Sequence, residues 1–341
     1  MRFSSWLVSL RRGRRLARRH SDFLRPTRPR GTATVSPAAE VLEDRTLLSV
    51  TTLMIDGELS VVSDAADSIE IGADAGSNVE VTVNGVIDTS VGPFAASSVR
   101  SLVVRGGDLG NVLDLSQVFS ADYAWSDVDG NPMTIEVRAG NGDDELSGAN
   151  DLGSSLYAGD GDDTITVLGG DVLVEAGDGN DMINGGSGSD TLNGGDGNDS
   201  ITGGPSGDLI DGGDGLDLID GEEGDDTLIG GDGEDTIDGS DGNDLINASS
   251  GNDHVRGGPG DDVIFGGAGH DLIFGDLEIP IVNAGNDTIQ GQGGDDTLFG
   301  SGGADSLNGN AGADHLESFL TVVETIDPPP VAAVDPGTPE P

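Results

Sequence analysis

A nine-residue repeat constrains this chain more than any other feature of its sequence. From residue 176 to residue 274 it runs without a slip, each block following the pattern G-G-x-G-x-D-x-U-x, where U is aliphatic. Block positions are numbered one to nine from the first glycine. The phase extends back to residue 158, an isolated block begins at residue 139, and four further blocks occupy residues 282–317 after an insertion at 275–281.

Two positions are constant in all seventeen well-formed blocks, which a random low-complexity tract would not maintain. Position eight is Leu, Ile or Val, and position six is aspartate. The seventeen aspartates, called the aspartate column below, are Asp144, Asp163, Asp181, Asp190, Asp199, Asp208, Asp217, Asp226, Asp235, Asp244, Asp253, Asp262, Asp271, Asp287, Asp296, Asp305 and Asp314.

The period of nine matches neither an α-helix nor collagen. It suits a six-residue turn followed by a three-residue strand, in which position eight points inward and positions seven and nine point outward. Because the chain must reverse twice to return above itself, two blocks complete one coil. The pattern therefore predicts an all-β fold, a parallel β-roll (a β-solenoid) with an aliphatic ladder inside.

The pattern is similar to the haemolysin-type, or RTX, calcium-binding nonapeptide repeat. The resemblance covers residues 139–317, and it implies a roll with a calcium ion between each turn and the equivalent turn of the next coil. Ligands to one ion would then come from blocks eighteen residues apart. The implied pairs include Asp190 with Asp208, Asp199 with Asp217, Asp226 with Asp244, and Asp235 with Asp253.

A roll of this composition needs a cation to fold. Burial of one aliphatic side chain contributes ~1.5–3 kcal/mol, whereas ordering the backbone costs ~1–2 kcal/mol for each residue of the block. Calcium takes oxygen ligands, including carboxylates and main-chain carbonyls. The aspartate column is therefore the predicted set of metal ligands, with several calcium ions bound. Main-chain carbonyls of turn residues complete the predicted sites, such as those of Gly185, Gly194, Gly203, Gly212, Gly221, Gly230, Gly239, Gly257 and Gly266.

Some blocks depart from the pattern. Ser206 replaces the glycine at position four, Glu222 and Glu223 follow the first glycine of another block, and Ala248-Ser249-Ser250 opens a third. Their aspartates are retained, so weakened rather than lost sites are expected. The seven-residue insertion is not a multiple of nine, and it must either bulge out or split the roll in two.

Charge restricts the partners of the chain. The formal net charge is −48, and ten of the fifteen arginines lie within residues 1–30, so the remaining body is strongly acidic. Such a surface repels nucleic acid and attracts cations. The chain has no cysteine, which excludes disulfides and thiolate metal sites. No apolar run approaches the ~18 residues that a transmembrane helix needs.

The regions outside the repeats have their own character. Residues 1–50 are predicted to be a disordered basic leader or targeting region, and Leu42 to Ser49 resemble the LE-x-R-x-LL-S motif found near the start of many large bacterial surface and secreted proteins. A basic arm that binds any polyanion is the alternative.

Residues 51–138 alternate apolar and polar residues and predict a small β-rich segment, a possible cap of the roll. Within it, residues 106–116 resemble a degraded copy of the repeat. Residues 318–341 predict a C-terminal cap followed by a proline-rich, disordered tail.

These features predict a non-enzymatic, secreted calcium-binding repeat protein, extracellular or at the cell surface, whose roll folds on binding calcium. Because many RTX proteins are secreted enzymes or toxins, a hydrolase, epimerase or toxin relative with its activity in residues 51–138 is one alternative, although no catalytic motif occurs there. A calcium-dependent adhesin or matrix component, binding other surface macromolecules, is another.

Overall fold

The structure, a computed structural model, describes residues 50–55, 58–74, 78–88, 95–118, 134–276 and 285–317. The leader with its LE-x-R-x-LL-S motif and the predicted C-terminal cap and tail lie outside these ranges. Within the described ranges, secondary structure consists of strands apart from one turn of 3-10 helix at Ala96–Ser98, and no helix there is long and apolar enough to cross a bilayer.

The repeat region forms strands that alternate between two sheets. From β8 to β27, even-numbered strands belong to one sheet, sheet one, which has 13 strands in the described ranges, and odd-numbered strands to another, sheet two, which has 14. The strands are β8 (Thr134–Asn141), β9 (Glu145–Ser147), β10 (Ser155–Asp160), β11 (Thr164–Thr166), β12 (Leu173–Asp178), β13 (Met182–Asn184), β14 (Thr191–Asp196), β15 (Ser200–Thr202), β16 (Leu209–Asp214), β17 (Leu218–Asp220), β18 (Thr227–Asp232), β19 (Thr236–Asp238), β20 (Leu245–Ser250), β21 (His254–Arg256), β22 (Val263–Ala268), β23 (Leu272–Phe274), β24 (Thr288–Gly293), β25 (Thr297–Phe299), β26 (Ser306–Ala311) and β27 (His315–Glu317).

Strands of the same sheet pair in parallel with equivalent residues of successive coils aligned. Leu192 of β14 lies opposite Ile210 of β16, and Ile201 of β15 lies opposite Ile219 of β17. The predicted parallel β-roll is confirmed. The predicted three-residue strand is correct for sheet two, but the repeat strands of sheet one from β10 onward have six residues. In sheet one the strands continue through positions one to three, and pairing continues at positions two and three, as in Gly195 with Gly213.

The core is the ladder formed by position eight. These side chains are almost fully buried from Leu146 to Leu298, whereas in the last described coil Leu307 is only partly covered and Leu316 is 46% exposed. Position one is also buried in most blocks, as for Gly194. A glycine there leaves no side chain that a sequence pattern could reveal as inward-facing.

Residues before the repeats add coils to the same two sheets. In sheet one, β2 pairs with β6 and β6 with β8, and in sheet two, β3 pairs with β7 and β7 with β9, all in parallel. Antiparallel strands β1, β4 and β5 close this end of the sheets. The domain boundary at residue 139 stays a prediction. Strand β8 runs across that residue and pairs with β6 on one side and with β10 on the other. The strands that precede β8 are β1 (Thr51–Ile55), β2 (Glu58–Val62), β3 (Ser68–Ala73), β4 (Val79–Val83), β5 (Val86–Ile87), β6 (Ser101–Arg105) and β7 (Val112–Asp114).

The insertion does not split the roll. Strands β22 and β24 pair across it, as do β23 and β25. Gly275 already lies at position one of the following block, because a Cβ there would meet Asp287 Oδ2 and the carbonyl oxygen of Gly300. Gly285 lies at position four. Gly275 and Gly285 therefore align with positions one and four of a single block, which Asp287 continues at position six.

Candidate metal centre

Every member of the aspartate column lies at the end of a turn, immediately before a strand. Turns from sheet one to sheet two form the first turn edge, which carries residues such as Asp199 and Asp217; turns that return to sheet one form the second, with Asp190 and Asp208. From Asp144 to Asp296 these residues are at most 4% exposed. Burial of so many carboxylates is costly unless something compensates their charge.

One oxygen of each carboxylate is used by the fold. Oδ1 accepts a hydrogen bond from a main-chain N–H one coil earlier, so the side chains link the coils along each turn edge. The donor is the preceding column residue on that edge except at Asp144, where it is Asn111, and at Asp190, where it is Val172. The four pairs implied by the RTX resemblance are brought together in this way. The N···O distances are 2.8 Å for Asp190 with Asp208, 2.8 Å for Asp199 with Asp217, 2.9 Å for Asp226 with Asp244, and 2.9 Å for Asp235 with Asp253.

The second oxygen is left without a partner. Within the described ranges, Oδ2 is buried and accepts no hydrogen bond in sixteen members of the column, every one except Asp314. A carboxylate oxygen can only accept, so each of these atoms needs a donor or a cation. Leaving such an atom unsatisfied costs more than the hydrogen bond itself would contribute. The structure thus has a row of unsatisfied anionic oxygens on each turn edge.

The electrostatics of the column follow from this burial. Loss of hydration raises the pKa of Asp199, Asp208 and Asp244 to about 7 and that of Asp262 to about 8. The main-chain hydrogen bond to Oδ1 opposes each shift, while neighbouring column carboxylates add to it. In the absence of a cation, these carboxyl groups are therefore protonated more readily than ordinary aspartates.

The predicted position-one glycines lie directly beside these unsatisfied oxygens. A Cβ on Gly185 would be 2.8 Å from Asp190 Oδ2 and 2.6 Å from the carbonyl oxygen of Gly203 in the next coil. All nine glycines named from the sequence have the same two kinds of neighbour. A side chain on these glycines would approach the carboxylate, so glycine keeps the space in front of it open in most blocks; four other blocks have alanine at position one, namely Ala139, Ala158, Ala176 and Ala248. That the carbonyls of the nine glycines bind the ion stays a prediction.

Glycine at position four lets successive turns stack closely. Gly215 has φ +155°, and a Cβ there would overlap the carbonyl oxygen of Gly197 in the coil before it. The carbonyls of this position therefore point along the turn edge from one coil toward the next. Such an arrangement presents main-chain oxygens to the space between coils.

Substitution of Gly215 is expected to destabilise the calcium-loaded roll by at least about 2 kcal/mol, because alanine would combine an unfavourable φ with a clash against backbone. Gly293→Ala is the matched control. Its Cβ would meet only the Gly267 carbonyl oxygen at 3.6 Å, an ordinary contact, so a change within about 0.5 kcal/mol is expected. Urea unfolding at saturating calcium measures both, and equal losses in the two variants would contradict the stacking argument.

The oxygen ligands that these turns offer are suited to calcium. No group of three Asp, Glu, His or Cys side chains converges anywhere in the described ranges, so a site on these turns must combine the column carboxylates with main-chain carbonyls. Calcium prefers such all-oxygen sets and tolerates irregular geometry. This chain has room for a hard cation beside the carboxylate oxygen that lacks a partner, in the space that glycine leaves open.

Two kinds of residue in the turns were not predicted from the sequence. Asn or Asp at position five forms a second ladder in the opposite direction: Asn180 Oδ1 accepts the N–H of Asn198 at 3.0 Å, and Asn198 Oδ1 that of Leu216 at 2.8 Å. The frequent occurrence of Asn and Asp at position five was the feature of the sequence that could have indicated this ladder. Asn111, in the segment 106–116, also takes the place of a column aspartate, and its N–H donates to Asp144 Oδ1.

Comparison with known families agrees with this geometry. The model for the RTX calcium-binding nonapeptide repeat matches residues 157–192, 184–219, 193–228, 211–246, 220–255, 247–278 and 281–316. No curated protein matches the chain. The matched region contains most of the aspartate column and lies within the two-sheet roll. Residues 157–278 and 281–316 are therefore RTX calcium-binding nonapeptide repeats, and calcium is the ion that they bind.

Proposed function

We propose that this chain is an extracellular or cell-surface structural protein whose roll folds when it meets calcium. One observation carries the proposal: a buried Oδ2 without a partner recurs in sixteen column aspartates. The unfolded chain exposes these carboxylates to water, whereas the roll removes them from it. A cation that binds only the folded state stabilises that state by mass action at every site.

The calcium concentration would then decide where the chain folds. Extracellular calcium modules usually have dissociation constants of ~10⁻⁴–10⁻³ M, so the roll would lack calcium inside a cell and acquire it outside. The formal charge of −48 supports this order of events, because repulsion between acidic side chains opposes collapse until cations neutralise it. Membership of the repeats in a family that is typically secreted supports the same location.

The structure of the segment before the repeats favours a non-enzymatic role. Leu59, Ile69, Leu102 and Leu113 are fully buried in the same core cluster as the repeat ladder. The described part of residues 51–138 therefore extends the roll. We therefore propose a structural role for this segment rather than a separate hydrolase, epimerase or toxin activity.

Light scattering on the full-length chain, with the hydrodynamic radius measured against calcium concentration, tests the proposal. A decrease of the radius with a midpoint at ~10⁻⁴–10⁻³ M calcium, at the constant mass of one chain, is expected. A mass that rises with calcium would instead show that calcium joins molecules, as in an adhesin or matrix component. A radius that does not change with calcium would contradict calcium-dependent folding.

A further inference from the structure

Asp276 is a buried carboxylate that the repeat pattern does not require. It occupies position two of the turn that contains the insertion, where a regular block has glycine. Its side chain is 2% exposed, and its Oδ2 accepts no hydrogen bond from any described residue. Asp276 therefore shares the unsatisfied state of the aspartate column although it does not belong to that column.

The direction of this side chain is unusual for its position. Other residues at position two that are not glycine adopt a left-handed backbone, with φ between 66° and 78°; they are Glu222, Ser240, Ser249, Gln292, Ser301 and Asn310. Asp276 does not have a positive φ. Glu222 is the other acid in this set and is exposed to solvent, whereas Asp276 is turned inward. Asp276 thus places a buried carboxylate at a block position where a regular block has glycine.

Asp276 lies on the second turn edge, where its charge acts on the column aspartates Asp262 and Asp287. Asp287 Oδ2 faces Gly275, the residue next to Asp276. Burial is the main cause that raises the pKa of Asp287 to about 7 and that of Asp262 to about 8, and the charge of Asp276 adds to both shifts. Burial likewise raises the pKa of Asp276 to about 6, with a contribution from Asp305.

Main-chain groups compensate only part of this negative charge. The N–H of Gly285 donates to Asp276 Oδ1 at 3.4 Å, a long hydrogen bond, and the N–H of Gly302 also lowers the pKa of Asp276. Within the described ranges, no basic side chain contributes to the shift of Asp262, Asp276 or Asp287. This turn consequently has one more uncompensated carboxylate than the others.

We propose that Asp276 adds a second carboxylate, beside that of Asp287, to the calcium site of this turn, and that this site fills before the others. The inference rests on the proposed calcium-dependent folding and concerns the order in which its sites are filled. Affinity of oxygen sites for calcium increases with the number of charged ligands and with the fit of the site. A site of this kind would hold the ion at calcium concentrations that leave the regular turns empty.

Isothermal titration calorimetry of the full-length chain with calcium tests the inference. The wild-type chain is expected to show one site that binds at least about tenfold more tightly than the rest. Asp276→Asn keeps the Oδ1 acceptor and removes the charge, and it should remove this tight class while the weaker sites remain. Glu222→Gln is the matched control, since it removes an exposed acid from the same block position and should leave the tight class in place.

Three results separate the inference from the function on which it rests. The role of Asp276 would be overturned if all sites of the wild-type chain bound calcium with equal affinity, or if the tightly binding site remained in Asp276→Asn. Either result would leave calcium-dependent folding intact. An absence of any calcium binding would overturn the proposed function itself. Should Asp276→Asn fail to fold, Asp276→Gly restores the residue that regular turns have at this position, and the same loss of the tight class is expected.

Discussion

Calcium-free protein is expected to gain β structure when the pH is lowered from about 8 to about 5. The unfolded chain has aspartate carboxyls with the ordinary pKa of 3.8, whereas burial raises the pKa of Asp199, Asp208 and Asp253 to about 7 in the roll. Between these values the roll binds more protons than the unfolded chain. Protonation thus stabilises the roll at low pH, and this stability is lost as the pH rises through about 7.

Far-UV circular dichroism in the presence of a calcium chelator measures this effect. Calcium should weaken this dependence, because it binds the deprotonated carboxylates and therefore stabilises the roll most at the pH at which the calcium-free roll is least stable. A calcium-free β signal that stays constant over this range, or that increases with pH, would contradict the proposed energetic cost of burying these carboxylates. The same experiment on a chain with fewer column aspartates should show a smaller change.

Replacement of three column aspartates that follow one another on the second turn edge by asparagine should raise the calcium concentration at the folding midpoint by about tenfold or more. Asp208, Asp226 and Asp244 lie one above another on the second turn edge, and the N–H of each earlier residue donates to Oδ1 of the next. Asparagine retains that acceptor. It removes the charge at Oδ2 that calcium would neutralise, so the variant should bind fewer ions and gain less stability at a given calcium concentration.

The matched control replaces Asp196, Asp214 and Asp232 by asparagine. These acids lie at position three of three consecutive coils and are exposed, so the change in net charge is the same. A shift of the calcium midpoint below about twofold is expected for the control, because exposed charges are screened by solvent and salt. Equal shifts in the two triple variants would show that overall charge, rather than the buried column, determines the response to calcium.

How far the sequence predicts this fold depends on which positions carry a side chain with a definite preference. The aspartates at position six and the aliphatic residues at position eight are constant, and both the roll and the ladder of Leu192, Ile210 and Leu228 followed from them. Inward burial of position one was not predicted, because glycine has no side chain to indicate a face. The six-residue strands of sheet one were missed for the same reason.

The candidate site was predictable in outline but not in its details. The pairing of column residues eighteen apart followed from the RTX resemblance, yet the use of Oδ1 for the coil-to-coil hydrogen bond is a property of the folded turn. The ladder at position five was missed because Asn180 and Asn198 stand at a position that other blocks fill with Leu216 or His270. The place of Asp276 could not be predicted, since it depends on where the insertion enters the turn.

Calcium-dependent folding of the roll is tested most directly by far-UV circular dichroism of the full-length chain at about pH 7.5 during a calcium titration. In the folded state the column carboxylates are buried with an unpartnered Oδ2, so the calcium-free chain should give the spectrum of an unfolded or loose chain at this pH. A cooperative β signal should appear by ~10⁻³ M calcium. A full β spectrum without calcium, or no β signal at several times that concentration, would contradict the account.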